Sequence, residues 1–285
     1  MSFETELIHN ILSSDDQENL QKSLSCIVEW CVANSMDLNI SKSQVISFSR
    51  ATLTFNFNYH IGGVPLNRVD RLRNLGVILT SSPSPSDHIA SITSKAYALL
   101  GFIGRSTRGF KSHDSMLVLY KSIVRPVLEY GTVIWSPYQL GHVEDLKRVQ
   151  TCFLRMLGTR LSCAYMETPV LQLEQRFHLQ SLYHRRIIFD LLFLFKLING
   201  LVGCPALLEM VDFSVPRETR SRTVFCRKFL PTNYACKSGV ARILRHGGVW
   251  SGQVDFFLRY SSPVTKVHKA GSEISAPNSL NTFTV

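Results

Sequence analysis

The chain has 285 residues, 45% of them hydrophobic, and a formal net charge of +10. That is enough apolar material for a sizeable core, and it excludes wholesale disorder. The charge is uneven: residues 1–50 hold 3 Lys/Arg against 7 Asp/Glu, whereas residues 201–250 hold 8 against 3. A basic body behind an acidic start suits a polyanion partner, nucleic acid foremost, with solvated surface charge as the plainer alternative. The seven cysteines are odd in number and scattered without a CxxC pair, so they read as reduced, mostly buried thiols of an intracellular protein. The start, MSFETELIHN, lacks an apolar core, and the most apolar run, Ile187–Ile198, is short and interrupted by Asp190 and Lys196. The expectation is a soluble protein of the nucleus or cytoplasm, with no membrane partner.

In chain order, Ser14 or Asp15 is placed to cap a first helix, with Glu18 three positions beyond Asp15 as a capping-box partner. Leu20, Leu24, Ile27, Val28 and Cys31 mark one helical face, and the helix is expected to end near Asn34. Val45–Phe48 fits a short strand. Leu53–Ile61 and Val64–Leu72 flank Gly62–Gly63, a two-glycine hairpin signal, and Leu75–Leu79 reads as a further strand. Prolines 83 and 85 then stop any regular element.

From Ser86 or Asp87 onward the pattern is helical. Ile89, Ile92, Ala96, Leu99, Leu100 and Ile103 give one helix, and Thr107–Ser112 link it to a second from His113. Pro126 is expected to kink or break that second helix. A third carries Val143, Leu146, Val149, Phe153, Leu154 and Leu157 and is closed by Gly158. A long, very apolar fourth covers Leu179–Ile198. Trp30 and Trp135 read as core aromatics. Beyond Gly200 the periodicity fades. Residues 214–245 interleave basic segments (PRETRSR, CRKF, ARILR) with Phe225, Phe229 and Tyr234. Such a stretch suits phosphate contacts plus stacking, or a basic loop packed on the bundle through its aromatics. The fold class is therefore α+β, mostly α: a small α/β part with a hairpin over residues 1–80, a helical bundle over 87–200, a basic segment over 201–270 and a frayed tail over 271–285.

Several ordered segments resemble the C-terminal part of the reverse transcriptase of non-LTR (LINE-type, jockey-like) retrotransposons. They are LQKSL and VEWC within 20–31, MDLNISKSQVISFSR at 36–50 and YHIGGVPLNRVDRLRNLGVIL at 59–79. DHIASITSKAYALLGFIGR at 87–105, LYKSIVRPVLEYGTVIWSPY at 119–138 and LKRVQTCFLRML at 146–157 continue the match. A weaker segment, RSRTVFCRKFLPTNYACKSGVARILR, spans 220–245. The resemblance implies a polymerase palm edge followed by a thumb. Lys42 falls at a lysine that sits near the incoming nucleotide's phosphates and assists pyrophosphate departure. Leu75 and Gly76 fall in a region that resembles the primer grip. The bundle from residue 87 looks like the thumb, which holds the template–primer duplex by its backbone.

Phosphoryl transfer in the intact family uses an adjacent aspartate pair that holds two Mg²⁺ ions. The match places that pair near Phe3 and Glu4, which cannot supply it. Asp15–Asp16 are adjacent but lie at a helix start, where capping explains them better. The expectation is therefore a truncated fragment: no catalytic residues, no metal ligands, no cofactor of its own, and no independent enzyme. Its candidate nucleic-acid contacts are Lys42, Arg105, Arg108, Lys111 and Arg125. Arg105, Arg108 and Lys111 cluster at a helix–helix connection, as a phosphate grip or as a solvated loop. Arg125 either caps a helix end or pairs with Glu129. The competing expectation is a helical protein-interaction module, motivated by an apolar face on helix 179–198 without an internal partner.

Overall fold

The computed structural model describes residues 6–49, 57–110, 112–214, 224–226, 229–251, 254, 256 and 257. The fold is α+β and mostly α, and the chain divides into two compact units, Met1–His88 and Ile89–Val285.

The first unit opens on α1 (Ser14–Ala33). Its cap lies before the expected position. Ser13 is extended, its hydroxyl accepts the Asp16 N–H, and the Asp16 carboxylate accepts back from the N–H groups of Ser13 and Leu12 at 2.9 Å. These bonds hold the Asp16 carboxyl below the usual carboxylate range. Of the expected face only Cys31 is buried; Gln17 joins it, and Trp30, expected in the core, is 52% exposed. Gln21 fastens the helix to the strands by exchanging two 2.9 Å bonds with the backbone of His60.

After α1 a 3₁₀ turn, Ile40–Lys42, leads into β1 (Gln44–Val45), which is shorter and earlier than the expected strand. β2 (His60–Ile61) and β3 (Val64–Pro65) pair antiparallel around Gly62–Gly63, both at positive φ, as the glycine pair requires. β4 (Asn67–Arg68) pairs parallel with β1, so the expected run Val64–Leu72 is broken into short pieces. Pro65, which lacks a donor, stands at the first break. Residues 53–56 of the expected strand Leu53–Ile61 lie outside the described residues.

β5 (Arg71–Asn74) and β6 (Val77–Thr80) form a hairpin. Leu75 and Gly76, expected to begin a strand, are instead its two-residue turn, at φ 44° and 86°. A turn with positive φ at both central residues matches strand twist but penalises a side chain such as leucine. Leu75 is 72% exposed, so packing contributes little to offset that strain. Leu75→Asn is expected to raise the unfolding midpoint of the first unit by the equivalent of about 1 kcal/mol, read in urea. Behind the hairpin, His88 is buried and its Nδ1 accepts the Ile78 N–H at 3.2 Å. Burial pushes its pKa down, so the ring is held neutral.

The second unit is helical: α2 (Ser86–Ser106, which begins in the first unit), α3 (Asp114–Leu119), α4 (Arg125–Glu129), α5 (Thr132–Trp135), α6 (Leu140–Arg160), α7 (Val170–Arg176), α8 (Leu182–Ile198), α9 (Pro205–Leu208), α10 (Asn233–Cys236) and α11 (Gly239–Trp250). Pro126 neither breaks nor sharply ends its helix. With no proline N–H available, the chain widens into a π turn at Tyr120–Val124, and the Arg125 N–H reaches Tyr120 O. α8 starts at Leu182 under a Ser181 cap, three residues later than expected.

The ring of Tyr120 stacks on Phe153 at 4.1 Å, beside the fully buried Leu146, Leu154 and Leu157 of α6. Trp135 is buried as expected, its indole N–H donating to Tyr130 O at 2.7 Å. Gly158 does not close α6, which continues to Arg160 and turns off where Ser162 adopts φ 66°. Gly158 is needed for approach: a Cβ there would stand 2.3 Å from Cγ2 of Thr168.

Two further expectations fail. α11 is a regular helix where periodicity seemed lost, because its core-facing positions are Arg242, Ile243, Gly247 and Gly248, half of them glycine. The cysteines are mostly not buried: Cys31 is, while Cys26, Cys226 and Cys236 are exposed. The tail over 271–285 lies outside the described residues.

Candidate nucleic-acid interface

The expected contact residues fall in different settings. Lys42 is exposed at the end of the 3₁₀ turn, whose backbone is held by Asn39, the side chain of which accepts the Lys42 N–H. Leu75 and Gly76 form the exposed hairpin tip described above. Both lie in the first unit.

In the second unit, Arg105 and Arg108 sit at the C-terminal end of α2, both exposed. Arg160, not singled out from sequence, arrives beside them from the last turn of α6. Its guanidinium donates to the carbonyls of Thr107, Arg108 and Gly104 at 3.2, 3.3 and 3.4 Å. It thus neutralises the negative end of the α2 dipole and satisfies its last carbonyls. The guanidinium groups of Arg105 and Arg108 have no ion-pair or hydrogen-bond partner among the described residues, so this helix end presents uncompensated positive charge to solvent. Lys111 lies outside the described residues.

Arg125 is not part of that cluster. It lies 3.8 Å from the Glu129 carboxylate, whose other partner is Arg185 at 2.9 Å from Oε2. Burial is the first cause lowering the Arg125 pKa, and the neighbouring Arg185 charge adds to it. Of the two roles expected for Arg125, pairing with Glu129 is the one present.

The basic segment 214–245 divides. Residues 215–223, with all of PRETRSR, and Arg227 and Lys228 lie outside the described residues. Phe225 is buried in the core while Phe229 is 91% exposed. Arg242 of ARILR is not a surface cation. It is 6% exposed and grips Asp190 of α8 through Nε and Nη2 at 2.9 and 3.1 Å, while Nη2 also donates to Val133 O at 2.6 Å. His246 Nδ1 stands 3.0 Å from the same carboxylate. A lone aspartate inside the apolar run of α8 was the available signal, since a buried carboxylate requires a cation. Arg186, one turn before Asp190, is buried with Nη1 lacking a hydrogen-bond partner, and burial pushes its pKa down to about 10.

The apolar face of α8, expected to want an external partner, is covered by α5, α6 and α11: Ile187, Ile188, Leu191, Leu194 and Phe195 are all buried. No helix among the described residues is long and apolar enough to cross a membrane.

Adjacent carboxylates of a two-metal site must face a common ion. Asp15 and Asp16 do not fit that requirement, because Asp16 accepts from Leu12, Ser13 and the Ser13 hydroxyl in the cap of α1. Among the described residues no group of three or more His, Cys, Asp or Glu is placed to hold a metal ion.

No protein-family profile and no solved structure matches the chain. A curated protein does: a probable RNA-directed DNA polymerase from transposon X-element of Drosophila melanogaster, 26% identical over 145 residues. The match covers 50% of this chain and 16% of that protein. Over half its length the chain thus shows a reverse-transcriptase-like similarity to an RNA-directed DNA polymerase of a transposon, of which it spans a small part.

Proposed function

We propose that the chain is the palm edge and thumb of a non-LTR, jockey-like reverse transcriptase, and that its second unit holds nucleic acid by the phosphate backbone without reading sequence. The observation that carries this reading is the pair of exposed guanidiniums of Arg105 and Arg108, without an ion-pair or hydrogen-bond partner among the described residues, at a helix end already neutralised by Arg160. Arginines on a rigid helix suit phosphate oxygens, and such contacts position a duplex without specifying it. In this reading Lys42 serves nucleotide phosphates, and the Leu75–Gly76 tip touches the primer strand, only within a complete polymerase. In the same reading no nucleotidyl transfer and no Mg²⁺ site are assigned to the chain itself, and Asp16 is engaged in the capping box of α1 with Ser13.

An electrophoretic shift of primer–template duplex at about 50 and 200 mM salt tests this, because backbone binding weakens steeply with salt. Arg105→Ala and Arg108→Ala are each expected to lower the salt slope by about 1, and no binding at the lower salt would overturn the reading.

A further inference from the structure

α2 and α6 run side by side in the same direction. A Cβ on Gly104 would lie 3.0 Å from the Met156 methyl, and Arg160 bonds the last carbonyls of α2. Earlier along the same pair, Tyr165 and Tyr97 both lie near Cys152. Tyr165 is 42% exposed, its hydroxyl 3.7 Å from Cys152 Sγ and its ring 5.6 Å from the Arg155 guanidinium carbon. Tyr97 on α2 is 43% exposed and has Arg148 and Asp145 of α6 as charged neighbours. Arg148, Cys152 and Arg155 fall at i, i+4 and i+7 and share one face of α6. Asp145 pairs with Arg148 at 3.2 Å, and no ion-pair partner of Arg155 is found among the described residues. Arg155 Nε is also buried without a hydrogen-bond partner.

We infer that this flank is a stacking platform for unpaired bases of a single-stranded RNA or DNA segment. The inference rests on the reading that the second unit binds nucleic acid, and it adds the form of the ligand. The Tyr165 hydroxyl bonds to Cys152 of α6, and the side chain is 42% exposed, so it offers an aromatic surface to solvent on which a base can stack. A guanidinium over one ring strengthens such stacking through the cation–π contact and supplies charge for the backbone. A protein partner would be served equally by aliphatic residues, whereas rings interleaved with arginines match bases interleaved with phosphates. Arg105 lies eight residues beyond Tyr97, about 12 Å along α2 at 1.5 Å per residue, so a strand leaving the platform reaches the duplex grip within a few nucleotides.

Fluorescence anisotropy with a 12-nucleotide oligouridine, an abasic strand of equal length and a blunt duplex tests this. The wild-type chain is expected to bind oligouridine several-fold tighter than the abasic strand. Tyr97→Ala and Tyr165→Ala are each expected to weaken oligouridine binding roughly 5- to 100-fold while leaving duplex binding within about twofold. Tyr→Phe at either position should restore it, which separates stacking from loss of fold. Equal binding of oligouridine and abasic strand, or alanine variants indistinguishable from wild type, overturns the platform and leaves the duplex grip standing. Failure to bind any of the three ligands overturns both.

Discussion

Asp190→Asn should lower the stability of the second unit by about 3–5 kcal/mol, seen as a fall in urea midpoint without a change in slope. The carboxylate is 1% exposed and accepts two guanidinium bonds from Arg242, with His246 on the same oxygen. Asparagine keeps the shape and one acceptor but removes the charge, leaving Arg242 buried beside the equally buried Arg186. Two cations then share a dry helix junction with no anion on α8 between them. Removing one member of such a pair costs far more than the pair contributes, because the survivor's desolvation is no longer offset. Replacing both members, as in Asp190→Leu with Arg242→Met, should recover much of the loss. Arg186→Met should move the midpoint upward, since it removes a buried donor that has no acceptor. A shift below about 1 kcal/mol for Asp190→Asn would mean that water reaches this junction and that the bond geometry overstates its burial.

Gly158→Ala is expected to destabilise the same unit by about 1–3 kcal/mol, although alanine is intrinsically better in a helix by up to about 1 kcal/mol. The reason is Thr168, which follows α6 and precedes α7. Its Cγ2 and Oγ1 would lie 2.3 and 2.7 Å from the new Cβ. Threonine is stiff at χ1, is 6% exposed here, and its hydroxyl donates to Ala164 O at 3.0 Å, so rotation away breaks a bond. Thr168→Ala removes both atoms and leaves the nearest contact at 3.1 Å. The double variant should therefore be clearly more stable than Gly158→Ala alone, and a double-mutant cycle measures the coupling. Purely additive effects would show that the two residues do not touch in solution.

These two sites show where sequence reading stopped. Gly158 reads locally as a helix stop, because a glycine after an apolar-periodic run usually marks one. Its actual use, close approach to a residue ten positions later, is a packing fact. In the sequence Asp190 stands out only as an interruption of an apolar run. Its partner, 52 residues on, sat in a segment read as basic and non-periodic. Leu75 misled in the opposite way: a β-forming residue before glycine reads as strand, yet it occupies the turn. The candidate interface was half visible. Arg105 and Arg108 follow from charge at a helix end, whereas Arg160 carries the same charge and no local feature marks it as the residue that caps α2.

The sequence by itself determined the α+β, mostly helical class, the helices α2, α6 and α8, the Gly62–Gly63 turn and the break at prolines 83 and 85. Each depends on local physics: apolar spacing, a missing donor, or a backbone angle only glycine adopts freely. Only the tertiary structure decided which arginines are consumed and which remain available. Arg242 and Arg125 are held by carboxylates, Arg160 by carbonyls, while Arg105 and Arg108 face solvent. A guanidinium's availability depends on the acceptors that folding brings to it, and those acceptors are distant in the chain.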